Sequence, residues 1–92
     1  MPVKTYAYNL VQNVRTLVVP ASVEPQEVCI HNHEHNQNHE IFLGNSTVTV
    51  DNGMHAVATQ TSIITLQPND DLYAITANNG GANLRIMVVT KH

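Results

Sequence analysis

The fold is decided by the stretch Ser62-Ile63-Ile64-Thr65-Leu66-Gln67-Pro68-Asn69-Asp70-Asp71-Leu72-Tyr73-Ala74-Ile75. Two short runs rich in apolar side chains flank a turn made by Pro68-Asn69-Asp70. Pro presets the backbone angle of a turn, and Asn and Asp bond to their own backbone, so this is the chemistry of a tight connection. In the second run, Leu72 and Ala74 are expected to face the same side of a strand. The stretch therefore predicts two strands joined by a turn.

Turn-forming residues recur along the whole chain, mostly at intervals of about ten residues. Val, Ile and Thr together supply 27 residues, and branched side chains suit a pleated sheet better than a helix. We predict strands at residues 4–9, 14–19, 26–33, 39–43, 46–50, 54–58, 61–66, 71–76 and 83–90. The predicted fold is a single all-β domain over residues 1–92, an antiparallel β-sandwich or jelly-roll-like small barrel.

Residues 1–13 are open to two interpretations. They are either an ordinary first strand or an N-terminal arm that extends onto a neighbouring subunit by strand addition. Tyr6 and Tyr8 would be the aromatic anchors of such an arm, and Leu10 and Val11 its apolar contacts.

The composition narrows the classes of function. Charged residues make up 12% of the chain, against a usual value of about 25%, and 11 Asn and 9 Thr take their place. A surface with few charges does little to prevent association. We therefore expect a homo-oligomer in which part of the surface is buried against other subunits. The net charge is −3 with four basic residues, which is too few for a nucleic-acid partner.

The sequence lacks the motifs that would indicate several other classes of protein. No apolar stretch is long enough for a membrane span or a signal peptide, so we expect no membrane partner and an origin in the cytoplasm of the producing cell. Cys29 is the single cysteine, which excludes an intrachain disulfide. Neither a Gly-x-Ser-x-Gly elbow nor a phosphate-binding loop is present, and we expect no enzymatic activity.

Four of the six histidines fall within the segment His31-Asn32-His33-Glu34-His35-Asn36-Gln37-Asn38-His39-Glu40. Imidazole is the commonest protein metal ligand and also titrates near neutral pH. The segment is therefore a metal site, a pH-responsive surface or a polar hairpin that binds no metal. If the strand that enters it stays extended, Cys29, His31, His33 and His35 share one face.

A single metal ion would use only part of this segment. Histidines two apart on a strand have Cα atoms about 6.5–7 Å apart, so two of them can chelate one ion. His33 with His35, or His31 with His33, would then need a ligand from the returning chain. The candidate ligands are His33, His35, His39 and Glu40, and Zn²⁺, Ni²⁺ or Fe²⁺ would accept such a mixed set.

Two resemblances bear on this site. His33-Glu34-His35 followed by Glu40 is similar to the first metal motif of cupins, which implies a small metal-binding β-barrel enzyme. The later cupin histidine is missing, because the stretch from Leu66 to Tyr73 contains none. A His-x-His pair from each of three chains also resembles the iron site at the tip of trimeric phage spikes, although the long fibrous β-helix of those spikes is absent.

A longer resemblance covers residues 28–89. Its elements are Val28-Cys29-Ile30-His31-Asn32, Ile41-Phe42-Leu43-Gly44, Val48-Thr49, Asn52-Gly53, Ser62-Ile63-Ile64-Thr65-Leu66, Asp71-Leu72-Tyr73-Ala74-Ile75 and Leu84-Arg85-Ile86-Met87-Val88-Val89. In this order they resemble the small β-sandwich virion proteins of tailed bacteriophages. The chain departs from that group by carrying the His/Asn segment where its members have a short turn.

This resemblance implies a non-enzymatic structural protein of the virion. Proteins of this group are mainly head decoration (cement) proteins, which lie on the capsid surface, often as trimers at threefold positions. The implied partners are copies of the chain and the major capsid protein, and no cofactor is required. Two alternatives stay open: a phage tail or host-attachment module, and a small cupin-like metal-binding protein or enzyme.

Overall fold

Two antiparallel β-sheets stack face to face in the computed structural model, which describes residues 3–34, 39–56 and 61–90. In this part of the chain the strands are β1 (Val3–Leu10), β2 (Thr16–Val19), β3 (Gln26–Asn32), β4 (Ile41–Gly44), β5 (Met54–Ala56), β6 (Thr61–Leu66), β7 (Leu72–Thr76) and β8 (Ala82–Thr90). No helix in these ranges has the length and hydropathy that crossing a membrane would need.

The strand order identifies the architecture. Sheet 1 runs β1-β8-β3-β6 and sheet 2 runs β2-β7-β4-β5. Strand β1 pairs with β8, β2 with β7, β3 with β6 and β4 with β5, all antiparallel. The chain therefore pairs as one long hairpin rolled into two sheets, which is the jelly-roll arrangement. The predicted all-β sandwich of jelly-roll type is confirmed.

The core lies between the sheets and follows the alternation of side chains along each strand. In β3 every second residue is buried, from Gln26 to Asn32, and β8 shows the same period. Val28, Ile30 and Leu84 are at most 1% exposed. Burying an aliphatic side chain of this size stabilises the fold by about 1.5–3 kcal/mol, so these positions supply much of the driving force. The Cα radius of gyration is 12.4 Å, close to the roughly 12 Å expected for one domain of this length.

Residues 3–10 form strand β1 in this structure. β1 is an edge strand of sheet 1 and pairs with β8 from Val3 to Leu10. Tyr6 and Tyr8 pack against the core, and the Tyr8 hydroxyl donates a 3.0 Å hydrogen bond to the Val18 carbonyl in sheet 2. In the single chain residues 3–10 thus form the first strand, and an arm that reaches a neighbouring subunit stays a prediction.

The predicted strand at 46–50 was wrong. These residues form turns, in which the Thr49 amide donates to Asn52 Oδ1 at 2.8 Å and the Gly53 amide donates to the Thr49 carbonyl at 3.0 Å. Such local bonds offer the backbone an alternative to a sheet ladder. Val48 is 2% exposed because it packs over Gly44 and Gly53, on the outer face of sheet 2. Its burial comes from a folded loop and not from a strand.

Candidate functional site

The buried side-chain amide of Asn32 forms hydrogen bonds at both ends of the connection from β3 to β4. Asn32 is fully buried at the end of β3. Its Nδ2 donates to the carbonyl of His39 at 3.1 Å and to that of Ala56 at 2.9 Å, and its Oδ1 accepts from the Glu34 amide at 3.2 Å. A buried Asn can satisfy several backbone groups that a loop leaves without ladder partners. The histidine segment thus leaves and re-enters the sandwich at fixed positions.

Glu34 is the charged centre of this connection. Its Oε1 lies 2.5 Å from His39 Nδ1, and its Oε2 accepts from both the backbone and side-chain nitrogens of Asn83 at 2.7 Å. The bond with His39 is the main reason that the pKa of Glu34 lies below its usual value, while burial acts in the opposite direction and the Asn83 bonds lower it further. The carboxylate is therefore held in its ionised form by donors from two separate parts of the chain.

A polar cleft of about 410 Å³ opens beside this carboxylate. Its lining includes Asn9, Glu34, His39, Asn78, Gly81 and Asn83. Gly81 has a φ of +79°, and a Cβ there would overlap the Leu10 carbonyl oxygen, so the wall needs glycine. None of the described residues that line the cleft carries a hydroxyl or thiol. Among the described residues, the carboxylate–imidazole pair therefore has no hydroxyl or thiol nucleophile beside it, and the cleft offers hydrogen bonding.

The shared face predicted for Cys29 and His31 is the one that the structure shows, whereas His33 lies beyond the end of β3 and His35 lies outside the described residues. Cys29 and His31 alternate with buried residues on β3 and share the outer face of sheet 1. The rings of His31 and His33 lie edge to face with centroids 5.6 Å apart. His31 Nδ1 is 3.2 Å from Thr61 Oγ1 on β6. His31 and His33 are therefore the two neighbouring imidazoles that the structure brings together.

Glu40 belongs to a different group at the start of β4. Its Oε2 lies 3.5 Å from His55 Nε2, and both side chains are nearly half exposed. The His55 ring stacks on Phe42, with centroids 5.3 Å apart and planes 22° from parallel. An exposed ion pair of this kind contributes little to stability, about 0–1 kcal/mol.

The predicted metal ligands are thus distributed among separate partners. His33 lies beside His31, His39 beside Glu34, and Glu40 beside His55. Across 3–34, 39–56 and 61–90, no three His, Cys, Asp or Glu side chains are grouped so that they could hold a metal ion. His35 lies outside the described residues, so a site that includes it stays a prediction.

Three residues at this site were missed by sequence reasoning as members of one network: Asn32, Glu34 and Asn83. Glu34 and Asn83 are 49 positions apart, and no local pattern links them. The available signal was weak: Asn32 falls on the same strand face as the apolar Val28 and Ile30, so its amide would need hydrogen-bond partners once buried.

Comparison with known proteins adds a likeness in fold. Neither a family model nor a curated protein matches the sequence. A chain from the solved structure of Bacillus endospore appendages, described as a novel family of disulfide-linked pili, superposes with a TM-score of 0.62. The sequences are 7% identical, and the match covers 99% of this chain and 87% of the other. At this identity the likeness shows a shared fold.

Proposed function

We propose that this chain is a non-enzymatic structural subunit of a virion, a decoration (cement) protein of the capsid surface. The proposal rests on the resemblance of residues 28–89 to virion β-sandwich proteins. The jelly-roll fold supports it, because capsid domains also use this architecture. Its partners are other copies of the chain, as a trimer at threefold positions, and the major capsid protein. Its action is to add contact area between subunits that already touch.

The main observation behind the proposal is that the surface of the domain has few charges and exposes apolar side chains. Val3, Ile63 and Val23 are 56%, 66% and 81% exposed, and only 12% of the chain is charged. A surface with few charges and exposed apolar side chains favours association with other proteins. The described residues that line the polar cleft beside Glu34 include no hydroxyl or thiol nucleophile.

The fold shared with a pilus component favours a second candidate, a subunit of an extracellular filament. That neighbour is described as disulfide-linked. This chain has one cysteine, and a chain of disulfide links needs two per subunit. A filament of this protein would therefore need non-covalent contacts.

One experiment separates the two candidates. The purified protein is mixed with heads of the encoding virus that lack it, and the heads are sedimented and heated. Decoration predicts saturable binding and a higher temperature of head disruption. A protein that stays in the supernatant contradicts decoration, and filaments seen by electron microscopy of the concentrated protein alone would favour the second candidate.

A further inference from the structure

The outer face of sheet 1 is built around one row of side chains that crosses all four strands. The strand register places Thr5 beside Met87, Met87 beside Cys29, and Cys29 beside Ile63. These residues alternate with the buried ones, so they point away from the core. We call Thr5, Met87, Cys29 and Ile63 the central row.

The central row is exposed and largely apolar. Ile63 is 66% and Met87 39% exposed, and half-buried Cys29 lies between them. A groove of about 300 Å³ runs over this part of the face and is lined by Thr5, Cys29 and Met87 among others. Sheet 2 differs, because its own loop places Val48 against its outer face. The outer face of sheet 1 has no such cover among the described residues.

Two opposite charges flank the central row at equal offsets. Glu27 lies two residues before Cys29 on β3, and Arg85 two residues before Met87 on the antiparallel β8. Because β3 and β8 run in opposite directions, the two charges stand on opposite sides of the row. Arg85 pairs in register with His31, so one side of the row is acidic and the other basic.

We propose that two copies of this chain pack through the outer faces of their sheets 1, related by a twofold axis along the central row. Such an axis reverses the strand direction and keeps the strands aligned, as in other face-to-face sheet packings. It brings Glu27 of each copy over the side that holds His31 and Arg85 of the other. A twofold interface must be self-complementary, and this arrangement of charges satisfies that condition.

The area available fits a reversible dimer. The four strands are 6 to 9 residues long. At about 3.3 Å per residue and 4.8 Å between strands, the face measures roughly 25 by 19 Å, or about 500 Å² per copy. The total of about 1,000 Å² lies at the lower limit of specific protein interfaces. The dimer is therefore expected to dissociate on dilution.

The geometry of the dimer also predicts that the Cys29 thiols do not form a disulfide. Packed sheets lie about 10 Å apart, and a disulfide needs Cα atoms within about 7 Å. The two Cys29 thiols face each other across the axis at too great a distance to bond. The dimer thus forms without oxidation, and a reducing agent is expected to leave it unchanged.

The test is sedimentation equilibrium of the full chain over a range of concentrations. Ile63→Lys should shift the sample to monomer, whereas Val23→Lys, at an 81% exposed position away from this face, should not. Circular dichroism and thermal melting show that each variant is folded. A wild-type monomer at every concentration, a trimer without dimer, or a dimer that Ile63→Lys leaves intact would overturn the proposal.

Charge reversal tests the orientation. Glu27→Arg alone and Arg85→Glu alone should each weaken association by about tenfold or more, because like charges then meet across the interface. Mixing the two variants should restore association. The unchanged Glu27 of the Arg85→Glu copy then faces the unchanged Arg85 of the Glu27→Arg copy, and the two introduced charges, which are opposite in sign, also face each other. Failure of the mixture to associate better than either variant alone would overturn the twofold arrangement.

This inference concerns the free protein and does not rest on the proposed function. A monomer that still binds heads would refute the dimer alone. A dimer that ignores heads would refute decoration alone.

Discussion

Glu34 and His39 face each other across the β3–β4 connection, with the carboxylate oxygen Oε1 2.5 Å from the imidazole Nδ1. The Glu34 side chain is 12% exposed and its second oxygen is held by Asn83 of β8. Through Asn83, which is 49 positions away, Glu34 connects the loop to β8 and holds the histidine segment against the sandwich.

The first prediction concerns the stability that Glu34 provides. Glu34→Gln should lower the free energy of unfolding by about 1 kcal/mol or more, because hydrogen bonds to a charged acceptor are replaced by neutral ones. The matched control is Glu40→Gln, whose exposed partner is also a histidine, 3.5 Å away. That control should change stability by less than about 0.5 kcal/mol. Urea denaturation measures both, and equal effects would contradict the structural role given to Glu34.

The second prediction is the pH dependence of this contribution. The pKa of Glu34 is lowered in the folded protein from its ordinary value of 4.5, mainly by its bond with His39. The folded state therefore binds fewer protons than the unfolded state in this range, and stability rises with pH. The contribution should be complete above about pH 5 and disappear as the pH falls through the folded pKa. Melting temperatures of wild type and Glu34→Gln should converge at low pH; a constant difference from pH 7 to 3 would exclude this linkage.

The third prediction uses the direction of the Asn32 hydrogen bonds. Its Nδ2 donates to two carbonyls, so Asn32→Asp removes the donors and sets a buried carboxylate against carbonyl oxygens. We expect a loss of about 2–3 kcal/mol or more. Asn52→Asp is the matched control, because Asn52 Oδ1 accepts from the Thr49 amide and a carboxylate can do the same. Chemical denaturation of both variants decides, and an Asn32→Asp protein as stable as the control would refute the assigned bonds.

The fourth prediction tests the packing of the loop over sheet 2. A Cβ at Gly53 would lie 2.6 Å from Phe42 Cβ, so Gly53→Ala should destabilise the protein by about 1–3 kcal/mol. At Gly80 the nearest atom is 3.8 Å away, and Gly80→Ala should be neutral or slightly stabilising. Thermal melting compares the two, and the reverse order would show that Val48 and its loop pack differently.

The fifth prediction concerns metal. We expect Ni²⁺ to bind at His31 and His33, whose rings are 5.6 Å apart, and not at His39 or Glu40, which lie apart from this pair beside Glu34 and His55. In isothermal titration calorimetry, His31→Ala should abolish the binding and His39→Ala should leave it unchanged. Loss of binding in His39→Ala, or a wild type that binds no Ni²⁺, would contradict this assignment.

The sequence predicted the fold because alternation and turn residues are local signals. The same signals gave a strand at 46–50 that does not exist, since Asn52 bonds to the Thr49 amide and two glycines make room for Val48. The faces of Cys29 and His31 followed from the two-residue period of a strand.

The candidate site was harder to predict because its contacts are distant in sequence. Asn83 reaches Glu34 from β8, and His55 reaches Glu40 from β5. His39 and Glu40 are adjacent in sequence, yet they contact different partners. Residue spacing alone could not separate them, since it contains no information on which strand lies beside the loop.

The most direct test of the central claim, the proposed decoration of a capsid, is the composition of purified virus heads, measured by quantitative mass spectrometry. A decoration protein predicts that this chain is present in a fixed ratio to the major capsid protein, from one preparation to the next. Its absence from intact heads, or an amount that falls steadily with further purification, would contradict the account.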